Sequence, residues 1–444
     1  MNGIRIRDEE FSTEDYRYRT PIKFGGVALD RVTLLNVHCT VETPGGKTAR
    51  GFGSMPLSNV WAFPSRALDY ATTLTAMRNV AEAVAKRYRE CTLSAHPIDI
   101  THAVEPQFFC DAAAITQQMQ LAEPIPKLAS LVVASAFDAA LHDAFGKSLG
   151  LNCYQTYGPE FLPHDLGHYL GKEFAGERLD SYISKTPQPR LPLYHLVGAL
   201  DPLTPADVTN AVNDGMPETL GDWIRRDGLT HLKIKLNGDD IGWDVERVLG
   251  VNRVAEAIRT TNWWYSLDFN ERCQNVEYLL EFLRRLRDTS PAAFERVQYI
   301  EQPTARDLKA NPANKMHEAA KLRPVVIDES LLDLETLMLA RELGYTGVAF
   351  KACKGQSQSL LLAAAAQKYG MFRCVQDLTC PGASLIHSAG LAAHIPGVAA
   401  IESNSRQYVP AANAEWDRKF PGIFTITDGS MNTAILTGPG LGAC

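Results

Sequence analysis

From about residue 192 the chain repeats one pattern: a short apolar run of strand length, then a longer stretch with apolar residues at helical spacing. The short runs are "LPLYHLVGAL", "THLKIKLNG", "WWYSLDFNE", "RVQYIEQP", "RPVVIDES", "GVAFKACKG", "MFRCVQDL" and "GVAAIESNS". Segments such as "WDVERVLGVNRVAEAIR" and "VEYLLEFLRRLRD" carry the helical periodicity between them. Strict alternation predicts a parallel sheet. About eight such units in about 210 residues predict a closed (β/α)8-type barrel rather than an open, doubly wound sheet.

The front of the chain has a different rhythm. "RVTLLNVHCTVETPGGKTARGFGS" reads as two β-type runs joined by a Pro-Gly-Gly turn, a hairpin over residues 29–54. Helical patterns follow at roughly 66–90 and 110–148, so this part is a small α+β unit. Residues 157–191 fit neither pattern and read as an insertion, and the tail "FPGIFTITDGSMNTAILTGPGLGAC" is expected to fold back onto the front unit. The expected organisation is α/β: an α+β capping domain over 1–125, the barrel over 126–410 with its insertion at about 157–191, and a C-terminal return over 411–444.

Composition narrows the function. With 444 residues, 45% hydrophobic and 21% charged, the chain has the balance of a globular protein, and a formal net charge of -7 argues against nucleic acid as a partner. Nine scattered cysteines without a Cys-x-x-Cys pair predict neither a disulfide framework nor a cysteine zinc site and point to a reducing, cytoplasmic setting. "MNGIRIRDEEF" has acidic residues where a signal peptide needs an apolar run. "LASLVVASAFDAALHDAF" is broken by Asp138 and Asp143, so it reads as a buried helix and no membrane partner is expected.

Charge falls at the ends of the predicted strands, where barrel enzymes carry their chemistry: Lys233 and Lys235, Asp268 and Asn270, Glu301, Asp328 and Glu329, Lys351, Asp377, and Glu402. Strand side chains alternate faces, so Lys233 and Lys235 point the same way, as do Asp268 and Asn270. Carboxylates ending three successive strands (Asp268, Glu301, Asp328) would repel one another and call for a cation; an all-oxygen set suits Mg²⁺ or Mn²⁺. Lysines flanking such a metal suit proton transfer, with burial and neighbouring positive charge lowering their basicity.

In this order the motifs resemble the enolase superfamily, on the muconate-lactonizing-enzyme and mandelate-racemase side. "FDAALHDAFGKSLG", "LKIKL", "SLDFNE", "YIEQPT", "VVIDES", "VAFKACKG" and "ITDGSMNTAILTGPGLG" carry the likeness through most of the chain. The resemblance implies Mg²⁺ on Asp268, Glu301 and Asp328, with Lys235 as acid/base on one face of the substrate and Lys233 tuning it. It implies Lys351 as acid/base on the opposite face, with Lys354 as its rival, and Asn270 and Glu329 in support. A lysine ending the sixth strand, and no His ending the seventh, match the two-lysine branch. His387, about three helical turns later, is expected to be structural.

The implied reaction is removal of the proton next to a substrate carboxylate through a metal-stabilised enolate, most simply a racemisation or epimerisation. Dehydration, a lyase reaction on a hydroxy- or sugar-type acid, and cycloisomerisation are the alternatives. The chain departs from the family's usual loops at "GQS", "QDLTCPG" and "IESNSRQYVP". The cap segments "KFGGVALD" and "GFGSMPLSNVWAFPS" offer Phe24, Met55, Trp61 and Phe63 as pocket residues, and Arg406, Asp377 and Glu402 are expected near the substrate. The partner is a small carboxylate, and symmetric homo-oligomers are usual for the family. Two further signals stand apart. "GPGLG" at 438–442 has no helix after it, as a phosphate loop would need, and "HDLGH" sets His164 and His168 one helical turn apart with no third ligand evident.

Overall fold

The structure, a computed structural model, describes residues 3–24, 27–259 and 262–443; the Phe24 side chain, expected in the pocket, lies outside the described residues. The eight predicted barrel strands are all present. In chain order the strands are β1 (Arg5–Phe24), β2 (Val27–Glu42), β3 (Thr48–Pro56), β4 (Arg190–Val197), β5 (His231–Lys235) and β6 (Trp264–Asp268). They continue as β7 (Val297–Glu301), β8 (Val325–Ile327), β9 (Gly347–Phe350), β10 (Phe372–Val375), β11 (Val398–Glu402) and β12 (Ser430–Asn432). Strands β4 to β11 run parallel in sequence order, and the barrel closes where Ile401 and Glu402 of β11 pair with Leu193 and Tyr194 of β4.

The front sheet has three antiparallel strands in the order β1-β2-β3. The expected hairpin is β2–β3, turning at Gly46 with φ 81°. Strand β1 is an addition to that expectation. Its charged sequence hides any alternation because it is an edge strand, exposed along most of its length, with a register shift between Ile6 and Asp8. The single helix expected over 110–148 is two, Pro97–Gln118 and Lys127–Leu149, since Pro124 and Pro126 supply no N–H to a continuing helix.

Helix Lys127–Leu149 is long and apolar enough to cross a membrane, yet all of its apolar stretch is buried. Sheet and helix meet backbone to backbone: a Cβ on Gly51 would stand 2.1 Å from the Ala140 carbonyl oxygen, and one on Gly53 2.0 Å from that of Ala136. Only glycine permits this approach.

The tail returns differently from expectation. β12 pairs antiparallel with barrel strand β4. Beyond it Leu441 N–H donates to Asp143 Oδ1 at 2.9 Å, on helix Lys127–Leu149. Gly440, with φ 75°, is needed because a Cβ there would lie 2.1 Å from Asp143 Oδ1. "GPGLG" is therefore a packing segment. The front sheet is reached earlier, where Trp416 stacks on Phe52 with centroids 6.3 Å apart.

Two predictions concern this frame. Gly53→Ala should lower stability by roughly 1–3 kcal/mol in a urea melt, because helix and sheet must separate to admit a methyl group. Glu9 on β1 is 2% exposed, and burial pushes its carboxyl up to about 8. The folded chain then keeps a proton that the unfolded chain releases above its ordinary value of 4.5. Stability from this group is whole in acid and declines as pH rises towards 8. Glu9→Gln should flatten that decline, on the order of a few kcal/mol between pH 5 and 8.

Candidate active site

Each barrel strand sends every second side chain inward. The lower inward layer is Tyr194, Tyr299, Val326, Ala349, Cys374 and Ala400, packed as one cluster. Two residues further along most of these strands the inward position becomes polar: Glu301 after Tyr299, Asp328 after Val326, Lys351 after Ala349, Gln376 after Cys374, and Glu402 after Ala400. On β5 the inward series is His231, Lys233 and Lys235, and on β6 it is Ser266 and Asp268. Register sets Lys235 beside Asp268 and Asp268 beside Glu301.

Lys233 and Lys235 share a face because they serve two levels of one site. Lys233 is the deeper. Its Nζ donates to Glu301 Oε1 at 2.8 Å, Gln376 Oε1 at 2.6 Å and Glu402 Oε2 at 3.1 Å, and lies 3.1 Å from Asp268 Oδ2. Lys235 sits nearer the mouth, 2.5 Å from Asp268 Oδ2 and 2.8 Å from Asn270 Oδ1. Across the mouth Lys351 Nζ lies 3.1 Å from Asp328 Oδ2, donates to the Asp377 carbonyl at 3.2 Å and stands 4.6 Å over the Trp61 ring. Lys354 also reaches Asp328, donating to its carbonyl at 2.5 Å and lying 3.3 Å from Oδ1. An extended strand would have turned Lys354 away; a 3-10 turn over Ala352–Lys354 brings it back.

Six buried carboxyl groups (Asp268, Glu301, Asp328, Glu329, Asp377, Glu402) face four buried amines (Lys233, Lys235, Lys351, Lys354), a formal excess of two negative charges with every group ionised. Their titration reflects this. Burial, then the Asp268 charge, pushes Glu301 well up; burial, then Asp328, pushes Glu329 up to about 7. Burial, then Glu402, pushes Asp377 up to about 6. Asp268 is held below the usual carboxylate range: burial works against ionisation, but Lys235 and Lys233 outweigh it. The lowered lysine basicity expected from sequence is not found at Lys233 or Lys351. Burial lowers both, but the carboxylates around them, Glu301 first for Lys233 and Asp328 for Lys351, raise them further. At Lys354 burial prevails and the amine falls below its ordinary value.

The donor set fits a divalent cation. Asp268, Glu301 and Asp328 end adjacent strands, and Glu301 Oε2 is buried with no hydrogen-bond partner among the described residues. Two positive charges would also neutralise the excess. Oxygen donors of this kind match Mg²⁺.

Other expected residues are placed variously. Trp61 joins the site, its Nε1–H donating to Glu329 Oε1 at 3.0 Å, whereas Met55 and Phe63 lie in the apolar core. Asn270 bridges the same groups, its Nδ2 3.5 Å from Asp268 Oδ2 and 3.5 Å from Glu329 Oε1. Glu402 accepts from Lys233 and from Asn404 Nδ2 at 2.9 Å.

Asp377 does not offer its carboxylate to a substrate. It accepts the backbone N–H groups of Leu378 at 2.7 Å, Cys380 at 2.6 Å and Asn404 at 2.6 Å, tying two loops together. Arg406 turns away from the mouth to pair with Asp227 at 2.6 Å and His195 at 3.2 Å. His387 is buried with both ring nitrogens unpartnered among the described residues, and burial pushes it down to about 3, as suits a neutral core histidine.

Sequence reasoning missed Gln302 and Gln376. Gln302 holds φ 30°, and its Oε1 accepts the backbone N–H groups of Asp328 at 3.0 Å and Ser330 at 3.3 Å. Its position between Glu301 and Pro303 was the signal the sequence offered for a constrained loop. Asn270 and Glu271 are held at φ 44° and 67°, and Glu271 grips Arg306 at 2.5 Å. Non-glycine residues keep such angles only where surroundings enforce them.

A parallel barrel with an acidic, lysine-flanked mouth beneath an α+β cap defines the class to which the chain is similar, and the comparisons agree. The family model described as "Enolase C-terminal domain-like" matches residues 215–443, and the chain belongs to that family, on the muconate-lactonizing and mandelate-racemase side of the enolase superfamily. It is 27% identical over 207 residues to the L-Ala-D/L-Glu epimerase of Bacillus subtilis, a match covering 44% of this chain and about half (51%) of that relative's length. Among solved structures, a dipeptide epimerase from Enterococcus faecalis complexed with Mg and L-Leu-L-Tyr superposes with a TM-score of 0.63 at 15% identity, covering 99% of each chain. A muconate lactonizing enzyme from Pseudomonas fluorescens gives 0.63 at 19% identity, covering 100% of this chain and 97% of that one. These likenesses establish the fold.

Gln302→Ala leaves the Asp328 and Ser330 amides without their acceptor. Stability should fall by roughly 1–3 kcal/mol for each amide left dry, read from denaturant midpoints.

Proposed function

We propose that the chain is an isomerase that removes the proton from the carbon beside a substrate carboxylate and returns a proton to that carbon, most simply as a racemase or epimerase. The observation that carries this is the strand order. Lys235 ends β5 and Lys351 follows β9, so the carboxylate strands β6, β7 and β8 lie between the two amines. A substrate seated over those carboxylates presents one face to each lysine.

Mg²⁺, or Mn²⁺ in its place, held by Asp268, Glu301 and Asp328 would supply positive charge against the substrate carboxylate as negative charge develops there. Lys235 Nζ, as the free amine, accepts the proton, and the electron pair of the broken C–H bond passes into the substrate's own carboxylate. Lys351 Nζ, as the ammonium, forms the new C–H bond on the other face. The reverse reaction exchanges the roles. Lys233 stays charged and fixes Glu301 and Glu402, while Trp61 closes the mouth over Lys351 and Glu329. Proton transfer by a positioned side chain contributes about 10²–10⁴-fold.

The names of the relatives recommend dipeptides as the first substrates to try. Cycloisomerisation is the second reading, since a muconate lactonizing enzyme complexed with muconolactone shares the fold.

The test is proton exchange in D₂O with Mg²⁺ and a panel of chiral carboxylates led by dipeptides. Wild type should wash deuterium into the α-position of both stereoisomers. Lys351→Ala and Lys235→Ala should each retain the fold, lose epimerisation by at least about 10²-fold, and each abolish exchange from one stereoisomer only. Epimerisation at wild-type rate in either variant would defeat the assignment. Release of water with formation of a keto acid would mark a dehydratase or lyase acting on a hydroxy- or sugar-type acid instead.

A further inference from the structure

The "HDLGH" segment finds its third ligand in a distant part of the chain. Leu166–Leu170 is a single helical turn whose Leu166 and Leu170 are buried. His164 and His168, also four residues apart but offset by two, occupy the outward side, with rings stacked 4.1 Å apart at 16°. Short as it is, the turn is fixed. Asp165 accepts from the backbone N–H of His168 at 3.2 Å and of Gly176 at 2.6 Å, and a Cβ on Gly167 would meet Ala175 Cα at 2.9 Å.

Facing it is the first turn of helix Pro97–Gln118, which contributes Asp99. One oxygen of Asp99 and one nitrogen each of His164 and His168 lie within 4.8 Å of one another. Tyr169, next to His168, donates its hydroxyl to Asp99 Oδ1, orienting the carboxylate. The His102 ring, one turn along from Asp99, lies 5.5 Å from that of His168. Neither His164 nor His168 has a ring-nitrogen hydrogen bond among the described residues.

We propose that Asp99, His164 and His168 form a second metal site, separate from the barrel mouth and of different chemistry, which binds a divalent transition ion of the zinc class. The donors decide the class. Two imidazoles, borderline donors, joined by one carboxylate suit Zn²⁺, Ni²⁺ or Cu²⁺, whereas the three hard carboxylates of the barrel suit Mg²⁺. Zinc ligands at bond lengths near ~2.0 Å stand roughly 3.3 Å apart. The trio therefore needs to close by about 1.5 Å at most, which rotation of two exposed histidines accomplishes. Three protein ligands leave a coordination position to water. Bound there, the ion would clamp the helix Pro97–Gln118 to the segment that leads into β4. The orienting hydrogen bond from Tyr169 is the support such ligands ordinarily receive.

The experiment titrates Mg²⁺-saturated, full-length protein with ZnCl₂ by calorimetry and equilibrium dialysis, and records the electron paramagnetic resonance of one equivalent of added Cu²⁺. One Zn²⁺ should bind beyond the Mg²⁺ complement, with a thermal midpoint that rises with Zn²⁺ concentration. The Cu²⁺ spectrum should show nitrogen coupling. His164→Ala and His168→Ala, separately, should lose that equivalent and its thermal shift while melting as wild type does without Zn²⁺, since both side chains are exposed. Tyr169→Phe should weaken binding about 10–100-fold. Zn²⁺ stoichiometry unchanged in both histidine variants, as binding at exposed Cys110 or at the barrel carboxylates would give, overturns the proposal. So does a Cu²⁺ spectrum without nitrogen coupling.

Discussion

The structure depends on keeping six carboxyl groups and four ammonium groups out of water at one end of a parallel barrel. Burying a single charge is prohibitive, and burying a pair is only tolerable when both members are fully hydrogen-bonded. Lys233 makes the arrangement tolerable. It rises from an apolar layer and meets Glu301, Glu402, Gln376 and Asp268 at once, so its one charge is shared among three strands' carboxylates. Register enforces the crowding: Asp268 and Glu301 are paired neighbours, and nothing short of a strand slip separates them. The crowding of carboxyl groups is thus a product of the fold, and a divalent cation held there, as proposed, would relieve it.

Such an arrangement works only if the loops around it cannot relax. Glu271, held at φ 67°, clasps Arg306, and Arg306 donates to the Trp61 carbonyl at 3.0 Å, joining the loops after β6 and β7 to the cap. Trp61 in turn binds Glu329. On the other flank Asp138, deep in helix Lys127–Leu149, accepts from Ser357 N–H and Oγ, each at 2.7 Å, and so caps the helix following Lys351 and Lys354. That same helix lies so close to β3 that glycines are required. Cap, central helix and the Lys351–Lys354 turn are therefore mechanically one piece, the rigidity that the proposed stabilisation of developing charge would demand.

Much of this was legible because strand parity is a local property. Lys233/Lys235, Tyr299/Glu301 and Val326/Asp328 each declare their face from adjacent letters, and the barrel and its polar rim followed from that. Residues whose fate is set by a distant partner were not legible. Arg406 follows the eighth barrel strand and looks like a mouth residue, yet Asp227, 179 positions away, draws it outward. Asp377 ends a strand, but three amides consume it. His164 and His168 lacked a third ligand until helix Pro97–Gln118 supplied Asp99. Strand β1 was obscured for another reason: an edge exposed along most of its length has no burial alternation to display.

The electrostatic layout also bears on which reaction this mouth suits. Of the three carboxylates, the outer two each hold a lysine, Lys235 on Asp268 and Lys351 on Asp328, while the middle one, Glu301, is held from beneath by Lys233. An epimerase must run its proton both ways, so each flanking lysine has to serve as acid in one direction and base in the other. Near-mirror placement about Glu301 meets that requirement, whereas loss of a leaving group needs a base on one side and something quite different on the other. The symmetry extends one step further. Lys354 brings a second amine to Asp328, 3.3 Å from Oδ1, as Lys233 does to Asp268, 3.1 Å from Oδ2. What distinguishes the two flanks is the neighbour each mouth lysine keeps, the Asn270 amide oxygen at 2.8 Å from Lys235 and the Trp61 ring under Lys351 at 4.6 Å.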